Sequence, residues 1–209
     1  LWLRVTAKGV PCHASKPKLG ANAITALIDF SRKASRLIDS EATHRFLGKN
    51  SFAITQLHGG TTSNIIPAEA EMTVDIRTLP EVSHRTLTTE LKTICADLMR
   101  QDKRLKLTLH ITNDRPALEI NENALLVQQV VRAAASLSME MKKRGLNFYT
   151  DGSQIVPACD TPFVILGPGD DRQAHTVNEH VALADVVQFA KLYRRLINVI
   201  SENGFEPES

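Results

Sequence analysis

The chain of 209 residues is short of cysteine, of aromatic rings and of surplus charge of either sign, and each shortage excludes something. Its three cysteines, Cys12, Cys95 and Cys159, are odd in number, far apart and without a Cys-x-x-Cys pair. They support neither a disulfide framework nor a cysteine zinc site, and a reducing cytoplasm is the expected setting. The 25 Lys and Arg nearly balance 23 Asp and Glu, so no basic footprint points to nucleic acid and no charged patch points to a membrane surface. No apolar run approaches membrane-spanning length, and no basic-then-apolar signal segment opens the chain. Small molecules or other protein surfaces remain as partners. An initiating methionine is also lacking: the chain starts directly in a strand pattern, Leu1-Trp2-Leu3-Arg4-Val5-Thr6-Ala7, as a piece cut from a longer protein would.

What is present is alternation. Leu1, Leu3, Val5 and Ala7 oppose Trp2, Arg4, Thr6 and Lys8, the period of a half-buried strand. A loop with His13 and Ser15 follows. Gly20 to Ile38 carries apolar residues three and four apart, which predicts an amphipathic helix. Ser51 to Leu57 and Ala70 to Thr78 read as strands around a Gly59-Gly60 loop that contains Asn64. A helix with Ser83 as N-cap runs to about Arg100, and Leu105 to Ile111 alternates again. The order β-α-β-β-α-β is the ferredoxin-like split arrangement, complete by about Asn113.

Beyond a linker at Asp114 to Glu119 the pattern changes to a helix from about Asn123 to Leu137 and an extended piece ending at Phe148-Tyr149. A Thr150-Asp151-Gly152-Ser153 turn, a strand at Thr161 to Leu166 and a last helix from Ala182 to Ile200 follow. The alternation predicts part of a parallel sheet with covering helices, thin enough to be the end of a larger one. Overall the fold class is α/β, with an α+β first domain. Gly167-Pro168-Gly169-Asp170-Asp171-Arg172-Gln173-Ala174-His175 leaves that last strand, placing a histidine where α/β folds concentrate their chemistry. His44, His58, His84, His110 and His180 carry no assigned role, and His180 has no nameable partner.

Four motifs, in order, resemble the M20 class of metal-dependent amidohydrolases and exopeptidases, which includes acetylornithine deacetylase and succinyl-diaminopimelate desuccinylase. They are Gly9-Val10-Pro11-Cys12-His13-Ala14-Ser15-Lys16-Pro17 with Gly20-Ala21-Asn22-Ala23-Ile24; Gly59-Gly60 with Asn64-Ile65-Ile66-Pro67; Asp75-Ile76-Arg77; and Thr150-Asp151-Gly152 with Gly167-Pro168-Gly169, Ala174-His175 and Asn178-Glu179. The resemblance implies a ferredoxin-like lid and dimerisation domain at residues 1–115. Residues 116–209 would be the C-terminal portion of a zinc-dependent catalytic domain. The last loop leans toward acetylornithine-deacetylase-like members.

The resemblance also implies roles. His175 would be a zinc ligand. His13 would donate to a developing oxyanion, across a homodimer in dimeric relatives; the competing reading is a loop histidine packed on the first strand. Asn64 would contact substrate or else close an Asx turn. Arg77 would take a substrate carboxylate or else pair with Asp75. Thr150, Asp151, Gly152 and Ser153 would form a substrate-carboxylate loop or else an ordinary Asp-Gly turn. The family's two zinc ions activate water while a glutamate takes its proton. Its His-x-Asp pair and Glu-Glu pair occur nowhere in this chain. The expectation is a fragment of an amidohydrolase cleaving an N-acyl amino acid or small peptide amide, inactive and without catalytic zinc by itself. A non-catalytic dimerisation module or an amino-acid or peptide-binding remnant is the alternative.

Overall fold

The computed structural model describes residues 1–39, 42–174 and 176–203. The chain divides into two compact units, Leu1–Ala117 and Leu118–Ser209.

The first unit contains β1 (Trp2–Lys8), α1 (Ala23–Ile38), β2 (Ser51–Gly59), β3 (Glu69–Arg77), α2 (His84–Gln101) and β4 (Lys106–Asn113). The strands lie in the order β2-β3-β1-β4, and every neighbouring pair is antiparallel. This is the ferredoxin-like arrangement. Alternation sets the faces: Leu3, Val5 and Ala7 of β1 and Met72, Val74 and Ile76 of β3 are buried on one side. Both helices deliver their apolar stripes to the same core, α1 through Leu27, Phe30 and Ala34 and α2 through Leu87, Leu91 and Leu98.

Each helix begins where a side chain takes up its free amides. Asn22 Oδ1 accepts from the Ile24 and Thr25 amides at 2.9 and 3.2 Å, and Ser83 Oγ accepts from Thr86 at 3.3 Å. At the far end of the sheet His84, buried at the start of α2, joins two other elements. Its Nδ1 lies 2.5 Å from Asp114 Oδ1 and its Nε2 lies 2.8 Å from Thr78 Oγ1. An ionised carboxylate only accepts, so Nδ1 donates to Asp114, and in the neutral ring Nε2 then accepts from the Thr78 hydroxyl.

The second unit contains α3 (Leu125–Ala135), α4 (Gly152–Cys159) and α5 (Leu183–Asn203). Ala133, Ala134, Leu192 and Val199 form its small core, with Leu137, Leu166, Phe189 and Leu196 around it. The two strands expected here are not strands. Residues 139–149 and 161–166 have no sheet partner, and a β-branched run without a neighbouring ladder stays an extended segment. The expected turn at Thr150 continues as α4, which ends at Asp160 in the left-handed region (φ 46°) after Pro157 has withheld an amide donor. No helix among the described residues is long and apolar enough to cross a membrane.

Candidate functional site

The most tightly built loop region lies where β1 ends, and backbone pairing makes it. The Gly9 amide donates to Ala68 O at 2.7 Å, and Val10 and Ala21 exchange bonds of 3.0 and 2.9 Å. Ile66 donates to Cys12 O at 2.8 Å, Ala14 to Asn64 O at 2.9 Å and Ala23 to Pro67 O at 3.0 Å. Residues 9–14, 21–23 and 64–68 are thus laced together, with His13 opposite Ile65 in an antiparallel bridge. The glycines follow from the lacing. A Cβ on Gly9 would fall 2.0 Å from Ala21 O, and one on Gly20 would meet Cys12 Sγ at 2.6 Å and Val10 O at 2.7 Å. Gly60, at φ +82°, makes the left-handed turn out of β2.

This lacing brings His13 and Asn64 onto adjacent segments, both exposed. The His13 ring is held from one side only. Ser15 Oγ lies 2.8 Å from Nδ1, and the Ser15 amide donates to the same nitrogen at 3.2 Å. A turn in which Lys16 N donates to His13 O at 2.9 Å keeps the three residues together. The unbonded edge of the ring, at Nε2, faces outward as a hydrogen-bonding group.

Arg77 does not join this corner. It ends β3 eight residues after Glu69, about 26 Å of strand away. There its guanidinium grips Asp75 Oδ2 at 2.7 Å.

In the second unit, the Thr150-Asp151-Gly152-Ser153 segment leads into α4. Thr150 Oγ1 accepts from the Gly152 amide at 3.2 Å, while Thr150 O accepts from the Ser153 amide at 3.1 Å and its hydroxyl at 3.0 Å. These donors are therefore spent within the turn. Gly152 is required because a Cβ there would meet the Phe163 ring at 2.6 Å.

His175 lies outside the described residues. The loop around it is heavily bonded. Arg172 binds Asp170 at 2.5 to 3.0 Å, and chiefly this hydrogen bonding holds the Asp170 carboxyl down at about 2. Arg144 reaches Asp171 at 2.7 Å, and Thr176 Oγ1 donates to Gln173 O at 2.8 Å. His180, for which the sequence offered no partner, has its Nδ1 2.7 Å from Asn178 O. The Thr78–His84–Asp114 chain also escaped sequence reasoning, because Asp114 is 30 residues from His84 and no local spacing connects them. Among the described residues, no three His, Cys, Asp or Glu side chains come together as a metal site, so they do not furnish a zinc centre.

Comparison with known proteins gives one family match. Residues 1–103 match the peptidase dimerisation domain of the M20 class. The succinyl-diaminopimelate desuccinylase of Nitrosococcus oceani is 28% identical over 199 residues, covering 94% of this chain and 50% of that protein. A probable succinyl-diaminopimelate desuccinylase of Staphylococcus epidermidis is 24% identical, over 95% of this chain and 55% of its own length. The chain thus spans about half the length of these curated relatives. Among solved structures, a Staphylococcus aureus tripeptidase superposes with a TM-score of 0.72 at 22% identity, covering 97% of this chain and 52% of its own. Aminopeptidase PepT of Bacillus cereus gives 0.74 at 17%, covering 96% and 52%.

Proposed function

We propose that this chain, an M20-family chain whose residues 1–103 form the peptidase dimerisation domain, supplies the lid and the returning part of the catalytic domain of a metal-dependent amidohydrolase. The lid is residues 1–115 and the catalytic portion residues 116–209. The bond cleaved is the amide of an N-acyl amino acid, such as a succinylated diamino acid, or of a small peptide. The observation that carries this reading is the laced corner in the matched domain, which sets His13 beside the Asn64 segment.

In this reading His13 donates a hydrogen bond to the oxygen that gains charge as the amide is attacked. Asn64 offers its exposed amide to substrate. Arg77 serves a substrate carboxylate with the guanidinium donors that its bond to Asp75 leaves over. Thr150, Asp151, Gly152 and Ser153 contribute the shape of a rigid turn, since the Gly152 and Ser153 amides are already bonded. His175 is this chain's ligand in a two-zinc centre whose other ligands come from beyond the chain. Zinc, when bound, would supply an activated water and a polarised carbonyl.

Two features support a larger catalytic domain. Among the described residues, the backbone from Thr161 to Ile165 makes no hydrogen bond, although this half-buried run has strand composition. The outer side of α5 carries a second apolar stripe, Leu183, Val186, Val187 and Ile197, all exposed. Both are features of a piece that packs against more protein. The free cysteines suit a cytoplasmic setting.

The dimer in this reading forms at β2, an edge strand. Ile54 and Leu57 share a face with Val74 and Met72, their cross-strand partners, yet both remain exposed. Sedimentation velocity of the 209-residue chain tests the lid assignment. A dimer that Leu57→Lys converts to monomer is expected, and a monomer at high concentration overturns it. The family match, which covers the dimerisation domain alone, favours one second reading, a non-catalytic dimerisation or amino-acid or peptide-binding remnant. The two separate on whether the reading frame around residues 1–209 encodes a His-x-Asp and a Glu-Glu pair.

A further inference from the structure

We infer that Ser15 is the positioning residue of His13: it fixes which ring nitrogen carries the proton and which atom the side chain offers outward. The inference rests on the role proposed for His13 and identifies how that role is built.

The argument is one of donors and acceptors. A backbone amide can only donate, so the Ser15 N–H directed at His13 Nδ1 requires a lone pair there. The Ser15 hydroxyl, 2.8 Å from the same atom, then donates to it as well. In the neutral ring the proton must sit on Nε2, for which the structure gives no partner. The side chain therefore presents an N–H donor outward rather than a lone pair. That is the polarity needed to hold an oxygen gaining negative charge, and the opposite tautomer would repel it. The backbone makes the arrangement rigid. His13 is anchored by its bridge to Ile65, Ala14 by Asn64 O, and the His13-to-Lys16 turn fixes Ser15 over the ring. Further bonds from Leu19 N to Lys16 O at 3.0 Å and from Gly20 N to Pro17 O at 3.2 Å continue the constraint to the next clamp. Ser15 is exposed and lies outside the core, so nothing in the packing calls for a hydroxyl at this position.

Long-range proton–nitrogen NMR on the whole ¹⁵N-labelled chain, at a pH where histidine is neutral, reads the tautomers directly. His58, an exposed histidine of β2 with no hydrogen bond given by the structure, is the internal reference. The ratio of Nε2–H to Nδ1–H forms at His13 is expected to exceed that at His58 by about fivefold, the weight of one net hydrogen bond. Ser15→Ala keeps the backbone donor and loses only the hydroxyl, so it should bring the His13 ratio part of the way toward that of His58, and Ser15→Thr should restore it. Unchanged Asn64 and Ile65 amide shifts in Ser15→Ala would show that the loop itself is intact; if they move, Ser15→Thr alone decides. Equal ratios at His13 and His58 in the wild-type chain overturn the inference, as does a Ser15→Ala ratio that stays put or a Ser15→Thr ratio that does not recover. The measurement needs no catalysis. A chain that cleaves nothing leaves it standing, and its failure leaves the amidohydrolase reading intact.

Discussion

Replacing Gly9 by alanine should damage the molecule far more than one methyl group suggests. The new Cβ would lie 2.0 Å from Ala21 O and 2.9 Å from Ala21 C. Both are backbone atoms, so no rotamer relieves the contact and the strands must part. Parting breaks the Val10–Ala21 pair at 3.0 and 2.9 Å and strains the Gly9–Ala68 bond at 2.7 Å. Overpacking costs about 1–3 kcal/mol and each lost backbone bond about 1 kcal/mol, together roughly 3–5 kcal/mol. Against a typical domain stability of about 5–15 kcal/mol, that is roughly a fifth or more. Urea unfolding should show a much lower midpoint at unchanged slope, and the His13 and Ile65 amide resonances should move with it. Gly60→Ala is the control. Its nearest neighbour would be Pro67 Cγ at 3.6 Å, so it meets no clash and carries only the left-handed backbone cost of about 1–2 kcal/mol. A Gly9→Ala protein within about 0.5 kcal/mol of wild type, or one more stable than Gly60→Ala, would refute the reasoning.

Other changes test other parts. His84→Ala leaves the Thr78 hydroxyl without its ring nitrogen, removes one partner of the Asp114 carboxylate and opens a cavity beside α2, and should cost about 2–3 kcal/mol in urea unfolding, with His84→Phe recovering little of it. Burial pushes the Cys95 thiol up to about 11 from an ordinary 9.0. Because the folded value is the higher one, its contribution is whole below pH 9.0 and is lost as pH rises through about 11, up to about 3 kcal/mol that Cys95→Ala should not show. In the native chain Cys159 should react with a thiol reagent long before Cys95 does. Asp170 behaves in the opposite sense: its carboxyl is depressed to about 2, so what its pairing contributes is present above pH 3.8 and fades as pH falls through about 2. Arg172→Ala should raise the Asp170 carboxyl NMR titration part of the way toward 3.8, because the backbone amide of residue 172 still donates to Oδ1.

The first unit was legible because its strands are half-buried. Alternation at Leu3-Val5-Ala7 and Met72-Val74-Ile76 is a direct print of one wet and one dry face, and the cap at Ser83 acts on an amide three residues away. Pairing across the chain was not legible. His13 meets the Asn64 segment only because the turn after β2 returns to the end of β1, and His84 meets Asp114 across α2 and β4. Residues 161–166 failed in an instructive way, since their composition is that of a strand but a strand also needs a neighbour to bond. At Thr150 the sequence showed the turn and not the helix it starts, because α4, with Asp151 at its N-cap position, begins without a side-chain cap. Arg77 shows the opposite limit: its residue type suits a carboxylate ligand, and the carboxylate it holds is its own neighbour's.

The central claim is that this chain brings a lid and one wall of an amidohydrolase site while the metal set depends on residues beyond it. Metal analysis of the purified 209-residue chain after zinc loading and extensive dialysis, paired with an amidase assay on an N-acyl amino acid, tests this most directly. The account predicts no tightly held pair of zinc ions and no hydrolysis. Two zinc ions retained per chain, or hydrolysis with added zinc, would contradict it.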